Sequence, residues 1–167
     1  PKKIGFLKGH NELDRTLVAD VVQTLNLSYK VSTVTINQKL DALNNFDCLV
    51  IAKPDSAFNE KDKFILDQYI MRGGKVLWLI DNMIADMDSL AKQNQFVAVG
   101  KELNLDDMLF RYGARINTNL VLDLQGAPIP MLTGYVGNKP KTSLLPWFYF
   151  PLVTPSSKHP LVNNLNA

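Results

Sequence analysis

Two histidines, one cysteine and a few serines and carboxylates are the groups from which this 167-residue chain could build a reactive site. His10 stands directly after the short β-rich run "KKIGFLKG", where an imidazole could shuttle a proton near neutral pH or bind a ligand; the plainer reading is a solvated loop histidine. His159, in "SSKHPLV", precedes a proline and reads as a turn residue. Neither histidine has a partner four residues away, so the helical two-histidine zinc pattern is absent, and with a single thiol no clustered thiolate site is available; no metal site is expected. Cys48 begins the apolar run "CLVIA" instead of following it. A nucleophile elbow places its serine or cysteine after the last strand residue within G-x-[SC]-x-G, so Cys48 reads as a core thiol. Where the elbow belongs the chain has Pro54-Asp55-Ser56, and Ser56, without glycine neighbours, reads as a turn or cap residue. Asp81, Asp86 and Asp88 form the densest acidic group; an oxygen-rich site for Ca²⁺ or Mg²⁺ is conceivable there, but the spacing is not that of an EF-hand and a solvated loop is expected.

The elements that must position these groups alternate. The run after His10 carries Leu13, Leu17, Val18, Val21 and Leu25 at helical spacing, opened by Asn11 as its cap. A strand over Tyr29–Ile36, a short polar helix from Gln38 to Leu43, and a strand over Asp47–Ala52 follow. A helix from Asn59, with Ile65, Leu66, Tyr69 and Ile70 inward, stops at Gly73-Gly74, where a left-handed cap costs least, and "KVLWLI" comes next. Asn82 to Gly100 reads as loop with some helix, "LNLDDMLFRYG" as a helix with a glycine stop, and "NLVLDL" as a strand. Apolar strands alternating with amphipathic helices predict an α/β fold with a doubly wound, mostly parallel sheet over residues 1–125. Residues 126–167, which hold most of the prolines and the cluster Trp147-Phe148-Tyr149-Phe150, read as edge strands, turns and extended pieces packing on that core within one structural domain. The aromatic cluster closes the core or offers a recognition surface.

In such a sheet ligands bind beyond the carboxyl ends of the strands, here Lys8–Asn11, Pro54–Asn59 and Asp81–Asp88. The first loop has neither G-x-G-x-x-G nor a P-loop, and both "NELD" at Asn11 and "NEKD" at Asn59 set an asparagine cap before acids at the first and third helical positions. Carboxylates already complement those helix ends and would repel a phosphate, so nucleotide binding is not expected, nor any other cofactor. Scattered lysines and a net charge of +2 argue against nucleic acid. No apolar run approaches the roughly 20 residues that span a bilayer. The first residue is not methionine and "HPLVNNLNA" closes no element, so the sequence reads as part of a longer protein whose membrane anchor lies outside it.

The stretches "DCLVIAKPDSAFNEKDKFILDQYIMRGGKVLWLID", "LNLDDMLFRYGARINTNLVLDL", "PWFYFPLV" and "HPLVNNL" resemble the gliding-motility auxiliary components of ABC transporters from Bacteroidetes-type bacteria, over nearly the whole chain. The resemblance implies a flavodoxin-like module, similar to class I glutamine amidotransferase domains that have lost their catalytic residues and to a module of intraflagellar transport proteins. It further implies a periplasmic domain of a membrane-anchored protein. Its partners would be ABC permease and ATPase subunits or cell-surface components, with self-association left open. No catalytic residues transfer with it. The expectation is therefore a noncatalytic binding or assembly domain, with His10, Asn11, Asp55, Ser56, Asp81, Asn82, Trp147 and Tyr149 as ligand- or partner-binding candidates. Two rivals stand beside it: a hydrolase using His10, Ser56 and an aspartate, and a sugar or small-ligand receptor that stacks its ligand on Trp147 or Tyr149.

Overall fold

The structure is a computed structural model and describes residues 1–85 and 97–153. The chain divides into two compact units, Pro1–Asn119 and Leu120–Ala167.

In the first unit β1 (Lys3–Lys8), β2 (Lys30–Thr35), β3 (Cys48–Ala52) and β4 (Lys75–Leu79) form one all-parallel sheet in the order β2-β1-β3-β4. Strand alternation sorts the β1 and β3 side chains to two faces. Ile4, Phe6, Val50 and Ala52 lie on one, against Val18, Val22 and Leu25 of and beside α1 (Ala19–Asn26). Leu7, Leu49 and Ile51 lie on the other, in the larger core with Ile65, Leu66 and Tyr69 of α2 (Glu60–Met71) and Met108 and Leu109 of α3 (Asp106–Arg111). This is the doubly wound α/β fold. Close approach explains Gly5: a Cβ there would lie 2.9 Å from Leu49 and Phe46 and 3.0 Å from Val34.

The capping expected at Asn59 is present, its side chain accepting the Asp62 amide at 2.8 Å, and α2 ends where Gly73 turns left-handed at φ 93°. The cap expected at Asn11 is not. The first helix begins only at Ala19, because Glu12 is drawn back to the His10 amide and Asp14 folds onto Thr16. Of the face expected there, Leu13, Val18 and Leu25 pack on the sheet with Val22 beside them, while Leu17, outside the helix, and Val21 are exposed. The short helix expected over Gln38–Leu43 is replaced by successive four-residue turns between Ile36 and Phe46. Beyond β4, β5 (Met83–Ile84) pairs antiparallel with β6 (Val99–Gly100). The helix expected between Asn82 and Gly100 falls largely on residues 86–96, outside the described ones.

In the second unit β7 (Gly126–Val136) and β8 (Lys139–Pro151) make an antiparallel ribbon. Pro128 is paired with Pro146 across it. Two residues without amide hydrogens can face each other only at a non-hydrogen-bonded position, so the donor sites of Pro128, Pro130 and Pro146 are those that point away from the partner strand. The expected strand over Asn119–Leu124 does not form: Val121, Leu122 and Leu124 are exposed, and the segment meets β8 through the Asp123 amide, which bonds to the Phe148 carbonyl at 2.8 Å.

Candidate functional site

Because β2 lies to one side of β1 and β4 beyond β3, the chain leaves β1 and β3 in opposite directions, which opens a crevice beyond the carboxyl ends of these two strands. The backbone there is tightly stitched. Gly9, Asn11 and Lys53 take positive φ values of 130°, 55° and 49°, which turn both loops sharply at the ends of their strands. The Leu13 amide donates to the Ala52 carbonyl at 3.0 Å, and the Asp55 and Ser56 amides both donate to the His10 carbonyl, at 2.9 and 3.0 Å.

His10 is not the solvated loop residue of the plainer reading: it is 4% exposed, between Glu12 and Asp62, each 8% exposed. Its ring stacks on Phe58 with centroids 3.7 Å apart and planes 12° from parallel. Nδ1 lies 3.3 Å from Glu12 Oε1, Nε2 lies 3.2 Å from Asp62 Oδ2, and the His10 amide donates to Glu12 Oε2 at 2.9 Å. Asp62 Oδ2 also accepts from Asn59 Nδ2 at 2.9 Å, while Asp62 Oδ1 is buried with no hydrogen-bond partner. Burial pushes the Glu12 carboxyl up, but the side-chain and amide hydrogen bonds from His10 outweigh it and hold the group below the usual glutamate range. The two carboxylates sit at opposite edges of the ring, and among the described residues no three His, Cys, Asp or Glu side chains converge on a point suited to a metal ion.

This arrangement occupies both ring nitrogens and leaves none for Ser56. Ser56 Oγ instead accepts from Asn11 Nδ2 at 2.7 Å, so the His10–Ser56 pair that the rival hydrolase reading needs is not assembled. The crevice, about 440 Å³, is lined by Asn11, Asp14, Asp55 and Asp81 together with Lys53 and Lys101. Ion pairs cross it, Lys53 to Asp81 at 3.3 Å and the largely buried Lys101 to Asp55 at 2.7 Å. The Lys101 hydrogen bond and charge hold the Asp55 carboxyl below its ordinary range. Asn82 turns elsewhere, its side chain donating to Thr118 Oγ1 at 3.4 Å and its carbonyl accepting from the Lys101 amide. Trp147 and Tyr149 lie on β8 in the second unit, 5.9 Å apart and tilted by 57°, so the two rings present no common flat platform. Asp86, Asp88 and His159 lie outside the described residues. Cys48, half-buried at the head of β3, donates to the Leu49 carbonyl, and burial pushes its thiol up, away from the thiolate a nucleophile needs.

Sequence reasoning missed Glu12, Phe58, Asp62 and Lys101. Two of these were visible as the acids of "NELD" and "NEKD", which share a cap pattern that concealed their convergence on one imidazole.

No curated protein matches the chain. Among solved structures it is similar to a chain described as "mmIFT52 N-terminal domain", with a TM-score of 0.54 and 14% identity, covering 87% of this chain and 66% of that one. At that identity the likeness shows the fold alone, and the chain spans under two thirds of the length of the structure it matches. The model of the family described as "ABC-type uncharacterized transport system" matches residues 1–167, and the chain belongs to that family, whose members are auxiliary components of ABC transport.

Proposed function

We propose that this chain is a noncatalytic binding and assembly domain of an ABC-transport auxiliary component, working at the periplasmic face of the inner membrane in a membrane-anchored protein. Its partners are the permease and ATPase subunits, and the recognition surface is the crevice between β1 and β3. The observation that carries this reading is the state of His10. The imidazole closest to the crevice is sealed against Phe58 and engaged at both nitrogens by carboxylates, while Ser56 is committed to Asn11. General-base catalysis needs a ring nitrogen within reach of the proton it removes, and nothing of that kind faces the crevice among the described residues. The crevice offers instead a rigid rim of opposite charges, suited to fixing the register of a charged partner surface. Among the described residues no helix is long and apolar enough to cross a membrane, so in this reading anchoring falls to segments other than these. The link to gliding motility rests on the resemblance carried by "LNLDDMLFRYG" and "PWFYFPL".

Co-purification of the membrane-anchored protein with its cognate permease and ATPase tests the reading. Asp55→Lys combined with Asp81→Lys is expected to weaken the complex by about tenfold or more, the scale of a few rim charges, without lowering the melting temperature of the purified chain by more than a few degrees. Undiminished binding by this variant, or turnover of an ester or amide substrate that His10→Gln abolishes, overturns it.

A further inference from the structure

Strand alternation puts Ile4, Phe6 and Lys8 of β1 on the sheet face that α1 covers, and the register with the edge strand β2 sets Val31 beside Ile4 and Thr33 beside Phe6. Facing them, Val18 and Val22 come from the helix side. Valine and threonine side chains end one atom beyond Cβ, so helix and strand do not close over Phe6, and a groove of about 290 Å³ remains with that buried ring on its floor. Both charged residues that line it are cations, Lys8 at the end of β1 and Arg15 in the turn before α1. Lys8 Nζ donates to the carbonyls of Glu12, at 3.4 Å, and of Leu13; these neutral acceptors fix the ammonium without cancelling its charge. Among the described residues Arg15 makes no ion pair. The neighbouring carboxylate, Asp14, accepts the Thr16 amide and hydroxyl, both at 2.9 Å, and lines the crevice instead of the groove. The groove therefore has apolar walls and one positive end.

We propose that the groove between α1 and β2 binds a small hydrophobic carboxylate, with its head held by Arg15 and Lys8 and its hydrocarbon laid over Phe6 between Val22 and Val31. Such a ligand matches both halves of the site. Its two oxygens suit the paired N–H groups of a guanidinium, and its methylenes suit walls that offer no further charge. The volume lies at the small end of ligand pockets, so a chain of about eight carbons is expected and a whole membrane lipid is not. The groove shares no lining residue with the crevice, so this site and the assembly role of the crevice can be tested separately.

Titration of the whole ¹⁵N-labelled chain with octanoate, followed by its amide shifts, tests the site. The expected result is saturable shifts centred on Phe6, Val22, Val31 and Thr33, half-complete at about 1 mM or below, the scale for a ligand of about ten non-hydrogen atoms. Hexanoate is expected to bind about tenfold more weakly, the weight of two buried methylenes. Octylammonium, with the same chain and the opposite charge, should also bind at least about tenfold more weakly. Arg15 is exposed, so Arg15→Glu is expected to leave the thermal midpoint within a few degrees while weakening octanoate about tenfold. Equal binding of octanoate and octylammonium, shifts that do not saturate or that fall away from the groove, or an octanoate affinity unchanged by Arg15→Glu overturns the proposal. The comparison of ligands uses the unaltered chain, so it holds even if the variant fails to fold.

Discussion

An imidazole sealed among carboxylates is tolerable only when its contacts replace the water it lost, and at His10 the amide, both ring nitrogens and the carbonyl all have partners. Glu12 supplies two of those partners, and its carboxyl is held below the ordinary glutamate range by His10 against the opposing effect of burial. A carboxyl that binds its proton more weakly in the folded than in the unfolded chain adds stability above its unfolded value and loses it as pH falls through the folded one. Chemical denaturation at a series of pH values should therefore show a fall on the acid side, beginning in the ordinary glutamate range. Glu12→Gln is expected to flatten that part of the profile and to cost about 1.5–3 kcal/mol at neutral pH, the size of a charge-assisted bond.

At the scale of elements, β1 has a face with no room to spare. Gly5→Ala would press a methyl group on Leu49, Phe46 and Val34 in the centre of the sheet, and is expected to lower stability by about 1–3 kcal/mol, read from the denaturant midpoint. The four strands, α2 with its Asn59 cap and α3 with its Gly113 stop were legible in the sequence, because each combines a local apolar pattern with a local stop. The start of α1 was not. "NELD" and "NEKD" are nearly alike as strings, and what separates them is distant: Asp62, fifty-two residues on, draws the His10 ring into the protein, and Glu12 follows the ring instead of capping a helix. The site was legible in the same degree. The loops after β1 and β3 were placed at the functional edge and do line the crevice, but the burial of His10 depends on Phe58 and Asp62, contacts that local spacing cannot show. The pairing of β5 with β6 escaped because two-residue strands have no period to read.

For the molecule as a whole, among the described residues every member of both hydrophobic cores lies between Ile4 and Ile116, within the unit Pro1–Asn119. A chain ended at Asn119 is thus expected to fold, with a cooperative thermal transition; a gradual, non-cooperative melt would show that the parallel sheet depends on the second unit. The ribbon of that second unit has a different lesson. Three of its outward donor positions are prolines, spread over both strands, so an incoming strand would find gaps where a ladder needs hydrogens. Edge-to-edge pairing of copies through the ribbon is therefore disfavoured at those positions.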